Sequence, residues 1–212
     1  QFGMTTARVG CVSIHDVVMN KKQVDFEKKL SLAEMLKESG KGYVSGFFGK
    51  GCTPLGWFKD HGYDETDFIH KHPNGNGHGD WWEPADKTLI PLDDPKRVFS
   101  LAKTSNAFLE KRAKDKKPFF LTISHYALHV RNMSLKSTRR KYLDMIAERE
   151  GIEDKIPDIS KFDDNADEMP LKMRSHWERA NYAAMMENMD TSIGMVLDRL
   201  NQLGMQKRLK AK

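Results

Sequence analysis

From Ser31 onward, apolar side chains at Leu32, Met35 and Leu36 recur at the three- and four-residue spacing of one helical face. Ser31 and Glu34 complete an S-x-x-E capping box, Leu30 and Met35 occupy the positions of a hydrophobic staple, and Gly40 suits the left-handed residue that stops a helix. The dense apolar run Tyr43–Phe48 predicts a strand, closed by Gly49-Lys50-Gly51. A second helix is predicted from about Asp94, with Pro95 at its first position and Val98, Leu101, Ala102, Phe108 and Leu109 at helical spacing. Lys116-Lys117 closes it, and Pro118–Ser124 reads as a strand buried on both faces, as central parallel strands are. A charged helix over Ser137–Glu150 follows, then a long one from about Leu171 to Leu203, whose apolar stripe includes Trp177, Tyr182, Met185, Ile193, Leu197 and Leu200 and which Gly204 ends. Alternation of helices and strands predicts an α/β fold with helices packed on a sheet.

Two stretches resist this pattern. Residues 49–93 are loop-dominated, with Gly, Pro, Asn, Asp and His concentrated in Gly51–Asp80, and a connection of that length inside a compact domain is usually functional or mobile. Asp154–Met169 is acidic and poor in apolar residues, a surface excursion. Near the start, Val9–Ile14 and Val17–Met19 are weakly strand-like. No internal repeat interrupts the order, and 212 residues suffice for one domain.

Composition narrows the class. With 39% hydrophobic and 9% aromatic residues the chain has too much apolar content for disorder, despite a mean hydropathy of -0.66. No apolar run approaches the ~20 residues that span a bilayer. The 35 Lys and Arg against 30 Asp and Glu leave a net charge of +5, but the basic clusters are interleaved with acids and stand mostly at helix ends, where lysines need no ligand. No nucleic-acid-binding motif is present, so a nucleic-acid partner is not expected. Cys11 and Cys52, the only cysteines, define neither a disulfide framework nor a zinc site.

Candidate chemistry gathers at strand ends, where open α/β sheets bind ligands. Lys50 follows a predicted strand between two glycines; it is either a solvated lysine or a cation that meets an anionic group, helped by accessible backbone N–H groups. His125 and His129 follow the next strand and can hydrogen-bond as scaffold, or act as acid, base or anion donor. His61, Asp64, Asp67, His70, His72, His78 and Asp80 include metal-ligand types, but without a standard zinc spacing. Asn74–Gly79 contains G-x-G-x-G yet follows no strand, so a nucleotide site is not expected, and Trp81 and Trp82 suit burial better than sugar stacking. The methionines at 185, 186 and 189 read as core.

These pieces together resemble the sulfatases, the formylglycine-dependent branch of the alkaline-phosphatase-like superfamily. Ala7-Arg8-Val9-Gly10 resembles the family's P-x-R-x-G. Ser31–Gly40 followed by Tyr43–Lys50 resembles T-L-A-E-x-L-K-x-A-G-Y-x-T-x-x-x-G-K, and His61-Gly62-Tyr63-Asp64 resembles H-G-F-D. Pro118–His129 resembles the strand leading into A-P-H-x-P, and Tyr182–Leu203 the long helix before the C-terminal metal motif. The resemblance implies a partial alkaline-phosphatase-like sandwich, a mixed and mostly parallel sheet between helices. It implies a formylglycine nucleophile and a calcium ion that together cleave a sulfate ester, expected to be on a carbohydrate, in a periplasmic or extracellular protein. Lys50 matches the lysine of G-K-W-H-x-G and His129 the histidine of A-P-H-x-P, which the resemblance makes catalytic; His125 is a candidate for substrate binding.

The departures are specific. Gly51 and Cys52 stand where Trp and His are usual, and Leu128 and Arg131 replace the two prolines near His129. No C/S-x-P/A-x-R nucleophile motif, no preceding aspartate pair and no following D-N-G occurs in the chain. The expectation is therefore a single, incomplete catalytic domain over 1–212, inactive alone, with its nucleophile and calcium ligands supplied outside it. The alternatives are a phosphonate or phosphate-ester hydrolase of the same superfamily and a basic, non-enzymatic polyanion-binding module.

Overall fold

The computed structural model describes residues 30–51, 58–67, 93–129, 132–152 and 171–206. The elements in chain order are α1 (Leu32–Glu38), β1 (Val44–Gly49), β2 (Glu65–Thr66), α2 (Val98–Asp115), β3 (Phe119–Ser124), α3 (Lys136–Glu150) and α4 (Leu171–Gln202). The described residues fall into two compact units. The first holds 30–51, 58–67 and 107–124; the second holds 93–106, 125–129, 132–152 and 171–206.

The first unit is built on a parallel sheet of order β2-β1-β3. Successive side chains of a strand point to opposite faces, so the paired phenylalanines at 47–48 and 119–120 supply two cores at once. On one face Phe47 packs with Ala33 of α1 and with Tyr63, while Phe120 stacks on Tyr63 at 6.0 Å. On the other, Phe108 of α2 meets Phe48 at 5.9 Å and Phe119 at 6.0 Å, both edge to face. Gly46 makes this second packing possible: a Cβ there would lie 3.0 Å from the Phe108 ring and 3.3 Å from Leu121. The expected α/β architecture, helices flanking a sheet, is the one observed, and the three described strands all run parallel.

The capping box forms as expected, with Ser31 Oγ accepting from Glu34 N–H and Glu34 Oε2 accepting from Ser31 N–H. The buried face of α1 does not. Leu32, Met35 and Leu30 are 41%, 52% and 50% exposed, so neither the expected stripe nor the staple is buried, and Ala33 faces the core instead. The reason is a close approach. Ser31 Oγ donates to His61 O at 2.6 Å, and the Gly62 turn lies so near Glu34 that only a small side chain fits between helix and sheet. β3 is half-buried along its length rather than buried on both faces, because among the described strands it pairs with β1 alone. The strand buried on both faces is β1.

Asp94 starts α2 across a short 3-10 turn at Pro95–Arg97: its Oδ1 accepts from Phe99 and Ser100 N–H at 2.8 and 3.2 Å, and Oδ2 accepts the Ser100 hydroxyl. In the second unit α3 packs on α4 through Leu143 and Ala180, with Tyr142, Ile146 and Trp177 around them. Ser192 Oγ of α4 donates to Val98 O at 2.6 Å. Arg139, in the basic cluster Arg139–Lys141, is buried with its guanidinium 5.0 Å over the Trp177 ring. The expected core stripe of α4 divides: Met185, Val196 and Leu200 are buried, whereas Tyr182, Met186, Ile193 and Leu197 remain substantially exposed. Gly204, at φ +64°, ends the helix as expected. No described helix is long and apolar enough to cross a membrane.

Candidate functional site

Lys50 leaves the carboxyl end of β1, where the register pairs Gly49 with Ser124. Its N–H donates to Ser124 O at 2.7 Å, and the Gly49 N–H donates to Asp67 Oδ1 at 2.8 Å. This corrects one expectation. The N–H groups of Gly49 and Lys50 are already donated within the protein, so neither of these two is open to an anion, and the charged group at this strand end is the Lys50 ammonium. Gly49 takes φ +102°, which a side chain would resist, so the turn into Lys50 is set by backbone conformation and by the Asp67 carboxylate. Asp67 was classed by sequence as a metal-ligand type; its role here is to hold the end of β1.

The histidines belong to the second unit, immediately after β3. His125 is half-buried, and its Nδ1 is buried with no hydrogen-bond partner among the described residues. Burial pushes its pKa below the usual imidazole range, so the ring is neutral at pH 7 and can accept or donate a hydrogen bond. A buried, unpaired imidazole nitrogen is costly to leave unmade, which makes a partner at this position favourable. His129 is exposed and ends a turn closed by its own N–H donating to Tyr126 O at 3.2 Å, while Tyr126 is buried.

The segment at 61–64 proves architectural. Asp64 Oδ2 accepts from Ser45 N–H at 2.9 Å and its Oδ1 from Lys37 Nζ at 3.1 Å, while His61 O receives the Ser31 hydroxyl. His70, His72, His78, Asp80, Trp81, Trp82, Cys11 and Cys52 lie outside the described residues, as do Val9–Ile14, Val17–Met19 and Asp154–Met169. Among the described residues no group of three or more His, Cys, Asp or Glu side chains could hold a metal ion.

What the chain offers is therefore a lysine at the end of β1, a neutral half-sequestered imidazole directly after β3, and an exposed imidazole four residues further on. Comparisons with known proteins address the family of the chain. None of the curated proteins matches the chain. Among solved structures, yidJ from Bacteroides fragilis, a sulfatase-type protein, is 12% identical with a TM-score of 0.51, over 96% of this chain and 47% of that one. Ps i-CgsB is 16% identical with a TM-score of 0.47, over 82% of this chain and 36% of that one. The same protein in complex with k-i-k-neocarrahexaose gives 16% and 0.46, with equal coverage. The chain thus spans less than half the length of these structures. The Sulfatase family model matches residues 3–208, and on that match, across nearly all of its length, the chain belongs to the sulfatase family.

Proposed function

We propose that this chain is an internal portion of a sulfatase catalytic domain whose complete form hydrolyses sulfate esters of carbohydrates. In this reading the 212 residues supply part of the sulfate-binding chemistry, and the nucleophile and any calcium ligands come from flanking sequence. Lys50 neutralises charge that builds on the bridging oxygen as the S–O bond breaks, which is the largest electrostatic demand of the reaction. His129 moves the proton at the leaving-group oxygen, and the neutral His125 ring hydrogen-bonds a substrate oxygen. Formylglycine, when present, supplies the oxygen nucleophile that attacks sulfur. The complete protein works outside the cytoplasm, as expected for the family.

The observation that carries this reading is the family match over residues 3–208. It is supported within the first unit by a parallel register that pairs Gly49 with Ser124, so that Lys50 leaves the carboxyl end of β1 beside the end of β3. The test compares sulfate and phosphate monoesters as substrates of the complete protein, and of the 212-residue chain alone. We expect the complete protein to prefer the sulfate esters and the chain alone to release no sulfate above a Lys50→Ala control. Preference for phosphate or phosphonate esters would move the assignment to the sister hydrolases of the superfamily. Salt-sensitive polyanion binding without turnover would make the chain a binding module.

A further inference from the structure

We propose that the outer edge of β3 is a docking seam for a further strand, apolar and parallel, supplied by the part of the complete protein outside this chain; this rests on the reading of the chain as an internal portion. A strand turns the N–H and C=O groups of successive residues to opposite edges. Val44 N–H donates to Pro118 O at 3.0 Å and Lys50 N–H to Ser124 O at 2.7 Å, at the two ends of the pairing between β1 and β3. The even-numbered residues of β3 therefore face β1. Phe119, Leu121 and Ile123 aim their N–H and C=O groups the other way, and a row of such groups is a template for pairing. Among the described residues no strand pairs with that edge.

The two edges of the sheet are built differently. β2 is only two residues long, and its Glu65 carboxylate is paired with Lys111 at 2.7 Å and Arg112 at 3.8 Å. A short, charged strand is how proteins keep an edge from pairing. β3 carries none of these devices. Phe119–Ser124 holds no charge and no proline, and its register with β1 runs through six consecutive pairs without a bulge. Its phenylalanines already meet Phe108 on one face of the sheet and Tyr63 on the other, so a strand added there continues a sheet with cores on both faces. That is the setting of parallel strands rich in Val, Ile and Leu. This chain covers 47% of yidJ, so more than half of a protein of this fold lies outside the matched stretch. A second copy related by a two-fold axis would instead set β3 against β3 antiparallel, counter to the sense of the three described strands. A parallel strand delivers the residues that follow it to the sheet end where Lys50 leaves β1.

The test reads hydrogen exchange at single amides of β3, in the 212-residue chain and in the complete protein. In the chain alone, Phe119, Leu121 and Ile123 should exchange about tenfold to a hundredfold faster than Phe120 and Thr122, whose N–H groups face β1. In the complete protein the same three amides should slow to the level of Phe120 and Thr122. Fast exchange at all three in the complete protein overturns the proposal, because the edge is then open. Slow exchange at all three in the chain alone also overturns it. Protection that fades on dilution, with the mass of a dimer by sedimentation, makes a second copy the occupant; protection at every concentration puts the neighbouring strand within the chain. Should Phe120 and Thr122 also exchange fast in the chain alone, the two sets are compared within the complete protein, where only equally slow exchange sustains the seam. Sulfate release is measured separately, so a complete protein inactive on sulfate esters would remove the sulfatase reading while leaving the pairing of β3 intact.

Discussion

Replacing Gly62 by alanine should cost far more than an alanine at Gly40, although both glycines are left-handed, at φ +86° and +69°. A non-glycine residue in that conformation costs roughly 1–2 kcal/mol at either site. The gain from a stiffer unfolded chain is shared by the two substitutions as well and cancels in their difference. What differs is space. A Cβ on Gly40 meets nothing within 4 Å, whereas one on Gly62 would stand 2.7 Å from Glu34 N and 3.0 Å from Glu34 Cα. Those are backbone atoms in the first turn of α1, which cannot swing aside as a flexible side chain can. Relief requires α1 to move away from the sheet, stretching the bond from Ser31 Oγ to His61 O and opening the contact of Ala33 with Phe47 and Tyr63. Overpacking of this kind costs about 1–3 kcal/mol, so Gly62→Ala should total about 2–5 kcal/mol against about 1–2 kcal/mol for Gly40→Ala. Urea unfolding followed by tryptophan fluorescence reads both as shifts of midpoint at common slope. Equal destabilisation of the two variants, to within about 0.5 kcal/mol, would refute the close approach of turn and helix.

Asp94→Ala should destabilise the chain by about 0.5–2 kcal/mol, because it strips the Phe99 and Ser100 N–H groups of their acceptor; Asp94→Asn should recover most of that in the same urea assay, and a neutral Asp94→Ala would contradict the capping role. His125 should make the chain acid-sensitive. Its folded pKa lies below the unfolded value of about 6.5, so the unfolded state binds more protons and stability falls as pH drops through that value. His125→Gln removes this dependence, so wild type should lose stability relative to the variant between about pH 7 and 5; parallel stability curves would show that the ring is not held neutral by burial.

Much of the fold was legible because its signals are local. The capping box at Ser31, the αL stops at Gly40 and Gly204, and the helix–strand alternation all act within a few residues. What was misread depends on partners distant in sequence. Periodicity pointed to Leu32 and Met35 as the buried face of α1, but a turn thirty residues away decides how closely the helix sits, and the smallest residue wins. The apolar run of β3 does not reveal how many strands flank it. Arg139 read only as part of a basic cluster needing no ligand, yet its guanidinium lies over the Trp177 ring, which only the fold brings near.

The candidate site divides along the same line. Lys50, His125 and His129 were singled out because they follow strands. The use of the Gly49 N–H by Asp67 was invisible, since nothing in the spacing says which backbone donors the protein spends on itself. The buried asparagines of α4 were missed for a related reason. Asn181 and Asn188 stand two turns apart within a helix that reads as an apolar stripe, and a buried asparagine has no meaning until its partners are known. Asparagine at a seven-residue spacing inside such a stripe is the signal that would have found them.

The central claim is most directly tested by the kcat/KM of the complete protein for an aryl sulfate, compared with that of its Lys50→Ala form. Loss of one preorganised group facing developing negative charge costs on the order of a hundredfold to a thousandfold. The account predicts sulfate release by the parent and a loss of that size in the variant. Sulfate turnover undiminished by Lys50→Ala, or no release from any sulfate ester by the parent, would contradict it.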